Sequence, residues 1–264
     1  MKILLSIIIF FCCVNKFYSQ CSGGELLRNP SFETYTSCPV STNFNTGSPN
    51  TPIPDLTEWV HGNGASPDYF ACGGTSGSYG FPGHDAPLPF PNGSACLGVL
   101  NYNSSGVLVT EPFAQCLTIP LVSGQTYTFS FKLAGNVSCN QPPVQVGIWG
   151  VTNCASVNNT SYLCPTSAGY SLLGLATTIS PNTTSWYSGT ITFVAPSSIA
   201  SVIIGFNCTY PAPNCSFINY YYFDDLSLKG GGTPPTASAS SGGVVTCSSP
   251  NVTLSGCWRG ASTF

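Results

Sequence analysis

Residues 125–133 read QTYTFSFKL, and this stretch decides the fold class. Every second residue from Tyr127 to Leu133 is large and apolar, and the residues between them are Thr, Ser and Lys. Alternation with period two is the pattern of a β-strand that buries one face and exposes the other. The stretch therefore predicts a strand that covers one side of a hydrophobic core.

Comparable strand patterns recur along the chain, whereas helical periodicity is nearly absent. They are VLVT (107–110), VQVGIW (144–149), TITFV (190–194), SVIIGF (201–206) and YYYFDDLSL (220–228). Clusters of Gly, Pro and Asn separate these runs, as turns require. Many short strands with turn-rich connections predict an all-β fold, an antiparallel sandwich of two sheets.

The first residues have the layout of an export signal. Lys2 supplies a positive charge, residues 3–14 (ILLSIIIFFCCV) are almost entirely apolar, and Ser19 offers a small residue for cleavage before Gln20. The apolar run is shorter than the ~20 residues that a membrane-spanning helix needs. We expect residues 1–19 to be a signal peptide and the mature protein to be secreted or on the cell surface, without membrane insertion.

Cysteine content agrees with export. Of fourteen cysteines, Cys12 and Cys13 lie in the signal, which leaves twelve. An even number in an exported chain indicates disulfides, and zinc is disfavoured because no CxxC spacing occurs. Short polar segments between the partners predict Cys154–Cys164 and Cys208–Cys215. The cysteines that remain suggest Cys38–Cys72 and Cys96–Cys116.

Charged residues are sparse, at 6% of the chain. Without the signal, four basic residues stand against nine acidic ones. Nucleic acid is excluded as a partner because phosphate contacts need clustered Lys and Arg. A surface made polar by Ser, Thr, Asn and Gly suits a neutral, hydroxyl-rich partner, and it equally suits a protein with no partner.

Composition divides the exported chain into a large domain, a linker and a short remainder. Residues 20–229 are long enough for one β-sandwich domain, and residues 230–235 (GGGTPP) form a Gly/Pro linker. Residues 236–264 hold two strand-like runs and are too few to bury a core unaided. We interpret them as the opening strands of a truncated further domain.

The ends of the large domain carry motifs of a known group. Residues 27–33 read LRNPSFE, residues 222–228 read YFDDLSL, and residues 121–127 (LVSGQTY) lie between them. In this order they resemble secreted Bacteroidetes surface proteins associated with gliding motility, which carry a galactose-binding-like jelly roll related to carbohydrate-binding modules. Residues 236–256 resemble the first strands of the Ig-like repeats that follow such modules.

That resemblance implies a jelly-roll sandwich whose first and last strands are neighbours, and a structural calcium ion between them. The implied ligands are Glu33 with Asp224 or Asp225, aided by Asn29. Calcium takes six to eight oxygen ligands from carboxylates and carbonyls. Successive strand residues face opposite ways, so Asp224 and Asp225 reach one ion only if a bulge interrupts the strand.

A glycan site is expected in the irregular segment Cys38–Asn92, because long loops on rigid scaffolds carry binding sites. Aromatic faces stack on sugar rings while nearby polar groups bond hydroxyls. For Trp59 the favoured alternative is a plug beneath the loop, and Trp149 and Trp186 are expected in the core. The candidate ligand-binding residues are Trp59, Asp68, Tyr69, Phe70, Tyr79 and His84.

Three functions stay open at this point. The favoured one is an extracellular non-catalytic module for adhesion or for binding a neutral polysaccharide or surface glycan. A structural spacer or protein-binding domain is the second. A glycoside hydrolase is the third and weakest, because no GxSxG, HExxH or P-loop motif occurs and no carboxylate spacing selects a catalytic pair.

Overall fold

The computed structural model describes residues 24–39, 47–72, 86–104, 107–136, 143–162, 164–181, 184–207 and 219–230. Its strands are β1 (Val60–His61), β2 (Asp68–Phe70), β3 (Cys96–Ser104), β4 (Val107–Thr110), β5 (Phe113–Leu121), β6 (Thr126–Gly135), β7 (Val146–Val151), β8 (Ser171–Leu175), β9 (Tyr187–Val194), β10 (Ile199–Phe206) and β11 (Tyr220–Gly230). Two short 3-10 helices, Cys154–Ser156 and Pro165–Ala168, lie between β7 and β8. No helix within these ranges is long and apolar enough to cross a membrane.

The strands form two antiparallel sheets that pack face to face. The smaller sheet has the order β1-β5-β10-β7-β8, and the larger has the order β2-β3-β11-β6-β9, with β4 paired to β3. The antiparallel jelly-roll β-sandwich predicted from the sequence is confirmed. Each strand pattern quoted above lies in or overlaps one of these strands.

Strand β6 shows how the sequence positions the core. Its alternate residues Tyr127, Phe129, Phe131 and Leu133 are at most 1% exposed, as the period-two pattern predicted. Their neighbour β9 alternates in the same way, with Ile191 and Phe193 buried. Burying a side chain of this size stabilises the fold by about 1.5–3 kcal/mol.

Strands β7 and β10 and the first half of β11 do not alternate, because both of their faces are covered. In β10 every residue except Ala200 is buried. On the smaller sheet, the face that is turned away from the core lies under the β7–β8 connection. Residues of that connection and of the sheet form what we call the loop-covered cluster: Ala114, Trp149, Val157, Tyr170 and Ile203.

The two ends of the domain meet, as the resemblance implied. Glu25 forms a bridge with Lys229, and the Leu26 amide donates to the Leu228 carbonyl over 2.9 Å. Further along, the Leu226 amide donates to the Pro30 carbonyl over 3.0 Å. The expectation that the first and last segments are neighbours is confirmed.

The disulfides correct part of the expected pairing. Cys38–Cys72 is present, with its Cα atoms 5.8 Å apart. Cys116 is joined to Cys154, which contradicts both the Cys154–Cys164 and the Cys96–Cys116 predictions. The reason is sheet order: β10 lies between β5 and β7, so Ser201 pairs with Cys116 on one side and with Val151, just before Cys154, on the other. Cys96 is a buried free thiol.

Several predictions fall on residues outside the described ranges. They are the signal peptide, the linker beyond Gly230, the Ig-like opening strands at 236–264, the Cys208–Cys215 disulfide, and the candidate ligand residues Tyr79 and His84. The described parts of the irregular segment 38–92 contain two short strands, β1 and β2, that the sequence pattern did not predict. Strands β3, β5 and β8 also lacked a predicted counterpart.

Candidate functional site

Aromatic side chains collect on the face of the larger sheet that is turned away from the core. Along β11, Tyr221 and Phe223 belong to the main core, whereas Tyr220 and Tyr222 belong to a second cluster. Successive side chains of a strand point to opposite faces, so these two tyrosines lie on the outer face. The outer face of a sandwich normally carries polar residues, and aromatic rings there need another explanation than filling the main core.

Strand β2 adds two residues to the same face. Asp68 pairs with Gly98 and Phe70 pairs with Cys96, while the residue between them, Tyr69, points into the main core. The Phe70 ring makes edge contacts with Tyr222 at a centroid distance of 5.6 Å and with Tyr220 at 6.5 Å. Rings at these distances and near-perpendicular angles attract each other beyond simple burial.

Two carboxyl groups border these rings. The Tyr220 hydroxyl donates to Asp68 Oδ2 over 2.6 Å. Glu111 follows β4, and its Oε2 accepts from the Leu100 amide over 2.6 Å. We call Asp68, Phe70, Glu111, Tyr220 and Tyr222 the aromatic–acidic cluster.

Burial weakens two acids of this cluster, Glu111 and the Tyr220 hydroxyl. It raises the pKa of Glu111 well above its usual value, the nearby Asp68 charge raises it further, and the Leu100 and Ser66 amides oppose the change. Burial also raises the pKa of the Tyr220 hydroxyl well above its usual value, with smaller contributions from Asp68 and Glu111. Low-dielectric surroundings disfavour charge, so Glu111 holds its proton to a higher pH than a surface glutamate.

Phe90 and Trp186 are the partly buried aromatic residues that pack on this cluster. Their rings meet edge to face with centroids 6.2 Å apart, and Trp186 Nε1 donates to the Pro87 carbonyl over 2.9 Å. Phe70, Tyr220 and Tyr222 beneath them are at most 2% exposed. Phe90 and Trp186 therefore form the part of this aromatic face that reaches solvent.

The predicted ligand residues divide between the two faces. Asp68 and Phe70 lie in the aromatic–acidic cluster, although both are buried. Trp59 is 1% exposed and packs on Phe32 and Phe113 in the main core, where it fills space as a plug would. Tyr69 is 4% exposed and its hydroxyl donates to the Phe32 carbonyl over 2.8 Å. A stacking role for Trp59 or Tyr69 is therefore wrong, because the faces of both rings are buried in the core.

Sequence reasoning missed Glu111, Tyr220 and Tyr222, and it placed Trp186 in the core. A signal for the tyrosines was present in the run YYYF at residues 220–223. A strand that buries one face alternates, whereas a run of large apolar residues indicates apolar surroundings on both faces. Glu111 offered no such signal, since its place on this face depends on pairing with Leu100, whose amide donates to its side chain and whose carbonyl accepts from its amide.

The residues expected to bind calcium lie at one end of the domain, but they are engaged by backbone amides. Glu33 Oε1 accepts from the Ser94 and Ala95 amides over 2.8 and 2.7 Å. Asp224 Oδ2 accepts from the Asn92 amide over 2.9 Å. The expected break in the strand is present, because the register of β11 with β6 shifts between Asp224 and Ser227.

Asn29 does not join this group, since its side-chain amide bonds Thr34 and Thr57 instead. The described residues contain no group of three or more His, Cys, Asp or Glu side chains arranged to hold a metal ion. These residues alone thus fall short of the six to eight oxygens that calcium takes. Calcium stays a prediction from the resemblance.

Comparison with known proteins gives similar folds without a family. No family model and no curated protein matches the chain. Among solved structures, a CBM4 carbohydrate-binding module is 19% identical, covers 77% of this chain and 99% of its own, and has a TM-score of 0.37. The tandem CBM22 domains of Xyn10C from Paenibacillus barcinonensis are 9% identical, with coverage of 84% and 50% and a TM-score of 0.45.

A third similar structure is the K1 cleaved adhesin domain of Lys-gingipain from Porphyromonas gingivalis. It is 14% identical, covers 70% of this chain and 96% of its own, and has a TM-score of 0.38. The chain spans half of the tandem CBM22 structure. Similarity at this level assigns neither a ligand nor an activity, so the function rests on the geometry described above.

Proposed function

We propose that this domain is an extracellular, non-catalytic module that binds a neutral glycan on the outer face of its larger sheet. The observation that carries the proposal is the position of the aromatic residues. Phe90 and Trp186 stand on the outward face above Tyr220 and Tyr222, where the main core needs no ring. Aromatic surface beside a small number of polar groups is the usual composition of a sugar site.

The surface next to these rings supplies hydroxyl groups. Lys132 pairs with Ser188, and the Lys132 ammonium donates to the Ser188 hydroxyl over 2.7 Å. Further along the same two strands, Thr128 pairs with Thr192 and their hydroxyl oxygens are 3.4 Å apart. These groups both donate and accept hydrogen bonds. A neutral, hydroxyl-rich polymer lying across β6 and β9 would meet matching partners.

Charge supports a neutral ligand. The chain has only six basic residues against nine acidic ones, so it offers few positive charges to an anionic polymer. The disulfides Cys38–Cys72 and Cys116–Cys154 agree with an oxidising compartment. Together with the predicted signal peptide, they support secretion or display at the cell surface.

The test is direct titration of the purified protein against a panel of neutral polysaccharides and oligosaccharides. Trp186→Ala should weaken binding at least tenfold, because it removes the larger of the two rings that reach solvent. A tenfold change corresponds to about 1.4 kcal/mol. Tyr162→Ala is the matched control, since Tyr162 is an exposed aromatic residue that belongs to neither outer-face cluster.

Two results would decide against the proposal. If the folded protein binds no glycan of the panel, the structural-spacer alternative takes its place. If Tyr162→Ala weakens binding as much as Trp186→Ala does, the site lies elsewhere. The same incubations, followed for release of reducing ends, test the hydrolase alternative, for which we expect no turnover.

The calcium prediction has a separate test. A calcium ion held between the two ends of the domain would raise the midpoint of thermal unfolding in proportion to the logarithm of its concentration. We expect a lower midpoint in excess EGTA than in millimolar calcium if the site exists, and Glu33→Gln should remove that difference. Equal midpoints in both solutions would end the calcium hypothesis.

A further inference from the structure

One lysine stands beside the aromatic rings on the outer face of the larger sheet. Lys132 lies in β6 between Phe131 and Leu133, which belong to the main core, so its own side chain points outward. It pairs with Ser188 of β9, two residues after Trp186. At about 3.4 Å per residue, Lys132 is about 7 Å along the strands from the position of Trp186. That separation is close to the length of one sugar ring in a polysaccharide.

No described carboxyl group neutralises the charge of Lys132. Its ammonium donates to the Ser188 hydroxyl over 2.7 Å, and it forms no ion pair within the described part of the chain. On its other side Lys132 pairs with Asp224, whose carboxyl group instead accepts from the backbone amides of Asn92 and Asp225. An ammonium group has three donors. Two of them therefore remain for a ligand, at a half-buried position beside the aromatic rings.

The other basic residues of the described ranges are placed differently. Arg28 forms an ion pair with Glu58 over 2.9 Å. Lys229 is exposed near the end of β11 and pairs with Thr128, so it lies on the same outer face as Lys132. Thr128 is four residues from Lys132 along β6, which separates the two lysines by about 14 Å. Among the described residues, Lys132 is therefore the cation within reach of a sugar bound at the aromatic rings.

The surroundings of Lys132 match an isolated negative charge in an otherwise neutral ligand. Its neighbours on the outer face include the hydroxyl residues Ser130 on its own strand and Ser188 and Thr190 on β9. A charge-assisted hydrogen bond is roughly twice as strong as a neutral one, so an acidic group at the ammonium adds affinity to the bonds that sugar hydroxyls make. A polymer with a charge on every sugar finds no further partner among these hydroxyl residues, because they carry no charge.

We propose that Lys132 makes this surface select polysaccharides whose mainly neutral backbone carries sparse acidic substituents, either carboxylate or sulfate groups. The selection rests on the proposed function, because the backbone must first bind at Phe90 and Trp186. A backbone sugar stacks on these rings, and a substituent on it or on the next sugar places its negative charge at the Lys132 ammonium. Lys132 is thus a specificity-determining residue, whereas the rings hold the backbone.

The test uses the whole exported chain and probes with matched backbones. Dextran, hydroxyethylcellulose and xylan are the neutral members, and lightly carboxymethylated and lightly sulfated forms of each are the acidic members. Isothermal titration at pH 7 gives the affinities. The carboxymethylated and sulfated arms distinguish the two possible substituents.

Lys132→Met is the test variant, because it removes the charge and keeps the length of the side chain. Lys132→Arg keeps the charge. Lys229→Met is the matched control, since it removes the same charge from the same face about 14 Å away, beyond the Debye length of about 8 Å in physiological salt. Circular dichroism shows whether each variant is folded, and Lys132→Gln takes the place of Lys132→Met if that variant does not fold.

For each backbone that binds, we expect at least one acidic member to bind at least fivefold more tightly than the neutral member. Lys132→Met should bring the affinities for the neutral and acidic members within twofold of each other. Lys132→Arg and Lys229→Met should keep the preference, and added salt should reduce it. Either acidic form upholds the proposal, and the one that binds more tightly identifies the substituent.

Equal affinities of the parent protein for neutral and acidic members would overturn the proposal and leave the glycan-binding function standing. A preference that persists in Lys132→Met would overturn it as well. So would a preference that Lys229→Met removes equally, because net charge alone would then explain it. If the folded protein binds no member of any set, the proposed function fails, and selection by Lys132 fails with it.

Discussion

Both sheets carry a buried cluster on the face that is turned away from the core, and the two clusters differ in what they contain. In the loop-covered cluster of the smaller sheet, Trp149 Nε1 donates to the Thr166 hydroxyl over 3.0 Å. The Tyr170 hydroxyl accepts hydrogen bonds from the backbone amides of Asn158 and Asn159, each over 2.9 Å. Its polar atoms are thus satisfied by the connection that covers it, and the cluster contains no carboxyl group.

The aromatic–acidic cluster of the larger sheet has a different composition. It brings the carboxyl groups of Asp68 and Glu111 beside aromatic rings, and it raises the pKa of both Glu111 and Tyr220. Burial also raises the pKa of Tyr170 in the loop-covered cluster, so the difference between the two clusters lies in the carboxyl groups rather than in a shifted pKa. The loop-covered cluster is a second small core that holds the β7–β8 connection in place. The aromatic–acidic cluster, by contrast, contains carboxyl groups that packing alone does not require.

The largest expected effect tests the loop-covered cluster. Trp149→Ala should lower the free energy of unfolding by about 3–5 kcal/mol, because a fully buried indole is lost from a packed cluster. Glycan affinity of the folded variant should stay within twofold of the parent. Urea unfolding measures the first quantity and titration the second. A large loss of affinity in a folded Trp149→Ala protein would erase the distinction between the two clusters.

A smaller effect is expected at the aromatic–acidic cluster. Tyr220→Phe removes the hydroxyl that donates to Asp68 Oδ2, and hydrogen bonds to charged groups contribute about 1.5–3 kcal/mol. Unfolding in urea at pH 7 should show a loss in that range, while near-ultraviolet circular dichroism stays native. Tyr162→Phe, at an exposed position, should change stability by less than about 0.5 kcal/mol. Equal stability of parent and Tyr220→Phe would mean that Asp68 does not depend on this hydroxyl.

The smallest effect concerns pH. The pKa of Glu111 is raised by burial and by Asp68, so the folded state binds a proton more tightly than the unfolded state does. The free energy of unfolding contributed by this group is therefore greatest below the unfolded pKa of about 4.3, and it falls as pH rises toward the raised value.

Glu111→Gln stays neutral and keeps a carbonyl acceptor for the Leu100 amide, so this decline with pH should flatten. The change is on the order of 1 kcal/mol, as for most single substitutions. Urea midpoints of parent and variant between pH 4 and pH 8 measure it. If the urea midpoints of the two proteins change with pH in parallel, the pKa of Glu111 is not raised in the folded state. The aromatic–acidic cluster would then resemble the loop-covered one.

Much of the sandwich was predictable because one-sided burial leaves a readable pattern. Strands β6 and β9 alternate over most of their length, and both appear where the sequence placed them. Strand β8 was missed because its residues are only half-buried or exposed, so its run SLLGL carries no clear period. The Cys116–Cys154 bond was missed because it depends on β10 lying between two strands that are far apart in sequence.

The candidate site was harder to predict. Asp68 and Phe70 were selected for their residue types, and the structure keeps them in the aromatic–acidic cluster. Tyr69 and Phe70 are adjacent, so their rings lie on opposite faces of the sheet. Only the register of β2 with β3 determines which of the two rings faces the core. Glu111 and Tyr220 come from distant strands, so no local pattern could bring them together with Asp68.

The meeting of the two ends of the domain has a consequence for how the domain responds to tension. Glu25 and Lys229 face each other across an antiparallel pairing, and the Leu26–Leu228 hydrogen bond follows directly. A force that pulls the chain at these two residues acts across the pairing at one end, like the two sides of a zipper. The bonds then carry the load one after another instead of together. Under tension, the terminal pairing would open first, while the disulfide-linked smaller sheet still holds its shape.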